Sequence, residues 1–154
     1  MRLRIAAVGR LKEAHWRAAA EEYLKRLRPY ATVEVAEVTD RDISYDALRA
    51  MSAEGSDLLR AIPESSYVVA LDLSGRESTS EELSAHLARL MVDGRSDVTF
   101  VIGGSAGLAP AVLQRADERL ALSRMTLPHQ LARVVLLEQL YRAFRIMRNE
   151  PYHL

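Results

Sequence analysis

The sequence predicts an α/β fold in which one mainly parallel β-sheet is flanked by helices. Apolar runs of strand length alternate with longer segments of helical periodicity along the whole 154-residue chain. Alternation of this kind favours parallel strands joined by right-handed crossovers through helices. The chain also shows no internal repeat, low-complexity segment or linker, so we expect residues 1–154 to form a single domain.

Five segments have the composition and length of strands. RLRIAAVG is a short apolar run that ends in glycine, whereas TVEVAEVT alternates apolar and polar residues. Strict alternation is typical of a strand with one solvated face, so we expect this second strand near an edge of the sheet. The five predicted strands cover residues 2–9, 32–39, 66–73, 97–104 and 119–123.

Helical spacing of apolar residues predicts four longer helices. The first ends before Pro29, the second contains Gly55 as a possible break, and the third begins at a Ser80 cap and ends at Gly94. A shorter helix is expected after the fourth strand. The four longer helices are predicted to cover residues 11–27, 44–62, 80–94 and 129–147.

The last predicted helix, residues 129–147, carries apolar residues on more than one stripe. A helix of this kind is covered on two sides, and one small sheet covers only one of them. The sequence therefore predicts a homodimer that packs through this helix.

Composition excludes several classes of site and of protein. Cysteine is absent, which rules out disulfides, thiolate metal sites and cysteine nucleophiles. The first residues lack the pattern of a signal peptide, and no apolar stretch approaches the ~20 residues that span a bilayer. We therefore expect a cytoplasmic protein that does not enter a membrane.

Charge is balanced overall but unevenly distributed. With 21 basic and 21 acidic residues the net charge is zero, which disfavours non-specific nucleic-acid binding. Residues 119–154, however, hold six arginines against Glu138 and Glu150, a net charge of +4. Arginine binds phosphate bidentately, but charge alone favours a solvated helix face with ion pairs such as Glu138 to Arg142.

Three of the predicted strands end in unusual sequences, and ligands bind at the carboxyl ends of strands in open parallel sheets. These ends read LDLSG, IGGS and LSR. After the last comes MTLP, whose Met125 and Leu127 offer apolar contact while its backbone offers hydrogen bonds, and Pro128 limits its movement. An adenine ring requires this mixture of surfaces. The double glycine Gly103-Gly104 is also compatible with a simple turn, since it forms no phosphate-binding motif.

Other chemistry finds little support in the residue pattern. Asp72 within an apolar strand is compatible with a buried carboxylate bound to a backbone N–H or, less readily, with a phosphoacceptor. His129 opens a helix, where a neutral cap is the commoner role. The four histidines are scattered without metal-ligand spacing, so we expect no metal site. No Ser/His/Asp arrangement favours a hydrolase.

The C-terminal sequence LSRMTLPHQLARVVLLEQLYRAFRIMRNEPYHL resembles the signature of the RlmH family, small methyltransferases of the SPOUT class. Members share the loop Leu-Ser…Thr-x-x-His-Gln, a helix with Glu-Gln-x-Tyr-Arg-Ala and a Pro-Tyr-His ending. The resemblance covers the whole chain, because RLRIAAVGRLK, LDLSG and VIGG follow in family order.

This resemblance implies a function that spacing alone does not show. It implies a C-terminal trefoil knot, a homodimer, and S-adenosylmethionine as cofactor. The reaction would be methylation of N3 of a pseudouridine in 23S rRNA of assembled ribosomes. Arg142, Tyr152 and His153 would act in catalysis. The implied cofactor-binding residues are Leu71, Leu73, Gly103, Gly104, Leu122, Ser123, Arg124, Met125, Thr126, Leu127 and Pro128.

The chain departs from the family pattern at two positions. Many relatives carry an acidic residue in the loop after the double glycine, where this chain has Ser105-Ala106, and many end in a basic residue, where it has Leu154. Two alternatives therefore stay open. One is a non-catalytic dimeric module that binds RNA or the ribosome, and the other is a SPOUT methyltransferase with another RNA target, such as tRNA.

Overall fold

The structure, a computed structural model, describes residues 1–152. Five strands and five helices alternate along the chain. The strands are β1 (Arg2–Val8), β2 (Thr32–Val38), β3 (Tyr67–Glu77), β4 (Asp97–Ile102) and β5 (Glu118–Ala121). The helices are α1 (Ala14–Leu27), α2 (Ala47–Ala61), α3 (Ser80–Val92), α4 (Pro110–Arg115) and α5 (His129–Met147).

The strands form one sheet in the order β2-β1-β4-β3-β5, and each neighbouring pair is parallel. The predicted α/β fold with a parallel sheet is therefore confirmed. Strand β2 lies at an edge, as its alternating pattern predicted, and it pairs with β1 alone among the described strands. This order brings the carboxyl ends of β4, β3 and β5 side by side.

Two hydrophobic cores cover the two faces of the sheet. Leu3 and Ile5 of β1 face the larger core, which α1, α3 and α5 complete, whereas Ala6 and Val8 face the smaller core beneath α2 and α4. Successive strand residues point to opposite faces, so a strand buried on both sides reads as an unbroken apolar run.

Helix α5 packs against both α1 and α3, and it buries Leu136, Leu137, Leu140 and Phe144 within the single chain. The breadth of its apolar surface is therefore largely explained without a second chain. In the described part of the protein, residues 1–152, no helix is both long and apolar enough to cross a membrane.

Two predicted details of the helices were wrong. Helix α2 does not break at Gly55, which lies where α2 meets α4: a Cβ there would lie 2.7 Å from the Cβ of Ala109. Helix α3 is capped by Thr79 rather than Ser80. The Thr79 side chain accepts from the Glu82 N–H while the Glu82 carboxylate accepts from the Thr79 N–H, which forms a capping box.

Strand β3 is longer than its sequence suggests. It continues through Ser74-Gly75-Arg76, beyond the end expected at residue 73, because its last residues pair again with β5. Both Leu71 and Arg76 pair with Leu120, so the residues between them bulge out of the sheet. Gly75 is required there, since a Cβ would lie 2.7 Å from the Leu120 backbone nitrogen.

Candidate active site

A cavity of about 720 Å³ opens at the carboxyl ends of β3, β4 and β5. This is the edge of a parallel sheet at which ligands bind. Four segments and Ala132 form its walls: residues 71–73, 102–108, 120–123 and 125–129.

Ten of the eleven residues implied in cofactor binding line this one cavity. The exception is Arg124, whose side chain is 86% exposed and lies 3.8 Å from the carboxylate of Glu77, outside the cavity lining. The ten are Leu71, Leu73, Gly103, Gly104, Leu122, Ser123, Met125, Thr126, Leu127 and Pro128.

The glycines after β4 shape one wall by folding the backbone tightly on itself. The Gly107 N–H donates to the Gly104 carbonyl at 3.0 Å, and Gly107 has a φ of 84°. A Cβ on Gly103 would lie 2.8 Å from the Gly107 carbonyl carbon, so that position accepts only glycine without a shift of the chain. The sequence Gly103-Gly104 was interpreted either as a ligand wall or as a simple turn. These interpretations are compatible, because the tight turn itself lines the cavity.

The loop of residues 122–128 forms the opposite wall. The Met125 N–H donates to the Ser123 hydroxyl oxygen at 2.9 Å, and Pro128 supplies the N-cap residue of α5. Met125 and, across the opening, Leu73 are 78% and 60% exposed. Both side chains are therefore available for contact with a ligand or a partner.

Sequence reasoning did not assign three polar side chains of the lining, those of Asp72, Ser105 and His129. His129 lies in the wall as the first residue of α5, and the N-cap position that it was expected to fill belongs to Pro128. Asp72 accepts from the Ser74 hydroxyl and lies 3.8 Å from the Arg119 guanidinium, so it meets side chains rather than a backbone N–H. The sequence signal that could have identified them is their position directly beside residues predicted to line the cavity.

Arg142 of α5 and Tyr152, which follows the helix, form a separate cluster around Glu138. The Tyr152 hydroxyl and the Arg142 Nε both donate to the Glu138 Oε1, each at 2.9 Å. The guanidinium carbon lies 4.3 Å from the centre of the Tyr152 ring, and Tyr141 meets that ring edge-on. The ion pair expected between Glu138 and Arg142 is therefore confirmed.

Burial raises the pKa of Tyr152 to about 12, and the hydrogen bond to Glu138 with its negative charge adds to the rise. The phenol is therefore protonated at neutral pH and acts as a hydrogen-bond donor in this arrangement.

The structure does not bring this cluster to the cavity of the same chain. Neither Arg142 nor Tyr152 lines the cavity, and ten residues of α5 separate Arg142 from Ala132 in its wall. At the rise of an α-helix that separation is about 15 Å along the axis. His153 lies outside the described residues. Within residues 1–152, no group of three or more His, Asp or Glu side chains is placed to hold a metal ion.

Comparison with known proteins finds close relatives over the whole chain. A family model described as "Predicted SPOUT methyltransferase" matches residues 1–153. A protein named ribosomal RNA large subunit methyltransferase H from Listeria monocytogenes is 49% identical, and the alignment covers 99% of both chains. Proteins of the same name from Moorella thermoacetica and Ruminiclostridium cellulolyticum are 49% and 47% identical with the same coverage.

A solved structure supports the fold independently. It is described as that of a probable methylase family protein from Haemophilus influenzae Rd KW20, and it matches with a TM-score of 0.59. The match covers 99% of this chain and 70% of that chain at 12% sequence identity, so it bears on the fold alone.

Proposed function

The chain belongs to the SPOUT methyltransferase family, and we propose that it transfers a methyl group from S-adenosylmethionine to N3 of a pseudouridine in 23S rRNA. Three observations support this. Relatives named as ribosomal RNA large subunit methyltransferases align over the full chain at 47–49% identity. Ten of the eleven residues implied in cofactor binding converge on one cavity. The C-terminal motif resembles that of enzymes that modify assembled ribosomes, so the proposed site of action is the cytoplasm.

The observation that carries the proposal is the fit of the cavity to this cofactor. Its volume of about 720 Å³ lies within the ~300–1,000 Å³ typical of small-molecule pockets. Leu71, Leu122 and Leu127 offer apolar faces to an adenine ring, and the backbone at Gly103 and Gly104 offers N–H and C=O groups. When bound, S-adenosylmethionine supplies a methyl group that its sulfonium has already activated.

The protein then has to orient and desolvate the reacting atoms. The two walls hold the cofactor, and Pro128 restrains the loop of residues 122–128 at the start of α5. Holding N3 in line with the methyl group supplies up to about 7–11 kcal/mol of the barrier reduction in ideal cases. No covalent nucleophile is required.

The N3 proton needs an acceptor, and two residues of the tail were candidates. The phenol of Tyr152 is a poor one, because its pKa of about 12 keeps it protonated and its hydroxyl already donates to Glu138. We therefore assign proton acceptance, directly or through water, to His153 and positioning of the substrate to Tyr152. Arg142 binds an RNA phosphate or steadies the uracil-like ring.

We further propose that the complete site forms between two copies of the chain. The separation of about 15 Å along α5 keeps Arg142 away from the cavity of its own subunit. In a homodimer the tail of one copy can meet the cavity of the other, where Leu73 and Met125 leave an apolar rim exposed. The loops on either side of the cavity would form the trefoil knot of the family.

The test is methyl transfer from labelled S-adenosylmethionine to assembled ribosomes, naked large-subunit RNA and tRNA, offered side by side. We expect label on ribosomes, located at a pseudouridine by mass spectrometry. Preferential label on tRNA would support a different RNA target. No transfer to any of the three, with ribosome binding retained, would support the non-catalytic binding module instead.

A further inference from the structure

A buried carboxylate lies on α2, outside the machinery described so far. Glu54 is 2% exposed, and its Oε2 accepts a hydrogen bond from the Arg41 backbone N–H at 2.9 Å. Its other oxygen, Oε1, is buried without a hydrogen-bond partner among the described residues. Such an oxygen destabilises the fold. Packing alone therefore gives no reason for a carboxylate at this position.

The carboxylate stands directly behind the glycine wall of the cavity. A Cβ on Gly104 would lie 3.3 Å from Oε1 and 3.5 Å from Oε2 of Glu54. Gly104 itself lines the cavity, and Glu54 does not. The thickness of a single glycine residue therefore separates the carboxylate from the space that the cofactor would occupy.

The surroundings offset the charge of Glu54 only in part: burial raises the pKa of its carboxyl, the neighbouring Asp40 adds to the rise, and Arg41 opposes it. The Arg41 backbone N–H donates to Glu54, whereas the Arg41 guanidinium forms its ion pair with Asp57 at 2.9 Å. Among residues 1–152 Glu54 forms no ion pair, and the backbone of Gly104 lies between its carboxylate and the cavity.

We propose that Glu54 determines the charge selectivity of the cavity, favouring the cationic sulfonium of the methyl donor over the neutral thioether of S-adenosylhomocysteine. This inference rests on the proposed function, because it takes S-adenosylmethionine as the ligand. Two unit charges about 10 Å apart at an effective dielectric constant of about 20 change an equilibrium constant roughly tenfold. The selectivity would limit inhibition by the product.

Isothermal titration calorimetry with each ligand in turn tests the inference. The variants are Glu54→Gln, which keeps the shape and a carbonyl acceptor for Arg41, and Glu77→Gln, a control at an exposed carboxylate near the same edge of the sheet. For Glu54→Gln we expect the preference for S-adenosylmethionine over S-adenosylhomocysteine to fall roughly tenfold, with the affinity for S-adenosylhomocysteine little changed. For Glu77→Gln we expect the preference to stay at the wild-type value.

Three other outcomes have distinct meanings. An unchanged preference in Glu54→Gln, or an equal loss of affinity for both ligands, would overturn the inference and leave the proposed function standing. Wild-type protein that binds neither ligand would overturn the proposed function and this inference with it. If Glu54→Gln does not fold, as judged by thermal unfolding, Glu54→Asp replaces it. That variant keeps the charge, so loss of the preference there would contradict the inference.

Discussion

At Glu138, one carboxylate holds two of the residues assigned to the reaction. It accepts from the Tyr152 hydroxyl and from the Arg142 guanidinium. This arrangement docks the tail on α5 and neutralises Arg142 at the same time. The RNA substrate would therefore have to compete with Glu138 for Arg142, which links phosphate binding to the position of the tail.

The pKa of Tyr152 should respond to Glu138. In Glu138→Gln we expect the pKa of Tyr152 to fall below its wild-type value of about 12, because the negative charge that opposes ionisation is lost while burial remains. Absorbance titration near the phenolate band measures it, and the same titration with Tyr152→Phe added identifies this tyrosine among the six.

The sign of the stability change follows from the direction of the shift. A phenol with a raised pKa in the folded protein stabilises the docked tail fully below the ordinary tyrosine pKa of ~10. That contribution is lost as the pH rises from about 10 through about 12. A pKa of Tyr152 that did not move in Glu138→Gln would contradict the hydrogen bond as a cause.

Among the helices, the contact of α2 with α4 depends on the absence of a side chain at Gly55. We expect Gly55→Ala to destabilise the protein by about 1–3 kcal/mol, because its Cβ would lie 2.7 Å from that of Ala109. The gain of ~1 kcal/mol in helix propensity offsets only part of this cost. Urea denaturation measures the difference. Ser56→Ala, at the exposed neighbouring position, is the control, and a Gly55→Ala variant more stable than wild type would exclude the tight contact.

The sequence predicted the positions of helices and strands correctly where the local pattern of apolar and polar residues determines them. The alternation in β2 predicted its edge position, and α5 begins and ends at the predicted residues. The second half of β3 could not be predicted, since it depends on pairing with Leu120 of a strand more than forty residues away. Gly55 was misread for a related reason: a glycine that breaks a helix and one that admits a neighbour look alike in sequence.

The site was predictable to the extent that strand ends converge. Sequence and resemblance named ten residues of the cavity, because the carboxyl ends of adjacent parallel strands meet. Arg124 was expected in the cavity because it lies between predicted lining residues in the sequence. Its side chain lies beside Glu77 instead. The return of Tyr152 onto α5 depends on contacts with Glu138 and Tyr141 that no local pattern specifies.

On the scale of the whole molecule, two properties support the proposed dimer. These are the net charge of zero and the distance of the tail from the cavity. A protein with 21 basic and 21 acidic residues has little general attraction for RNA. If the chain acts on rRNA as proposed, binding would come from local surfaces that the proposed dimer brings together.

Mixing two inactive variants tests whether the site is shared between subunits. Leu73→Arg places a cation at the cavity rim, and Arg142→Ala removes the tail arginine. After random exchange, half of the dimers contain one chain of each kind, and one of their two sites is intact if the sites are shared. We therefore expect about a quarter of wild-type activity from an equal mixture. Size-exclusion chromatography verifies that mixed dimers form. Mixed dimers without activity would indicate that each site belongs to one chain.

The bulge in β3 has a consequence for how such a cavity diversifies among relatives. Leu71 and Arg76 both pair with Leu120, so the residues between them do not pair with β5 and do not set the register of the sheet. Asp72 and Leu73, which belong to this stretch, line the cavity. Insertions or deletions there would reshape the mouth of the pocket while every strand kept its partners, which makes this short stretch a place where evolution can change the ligand without rebuilding the fold.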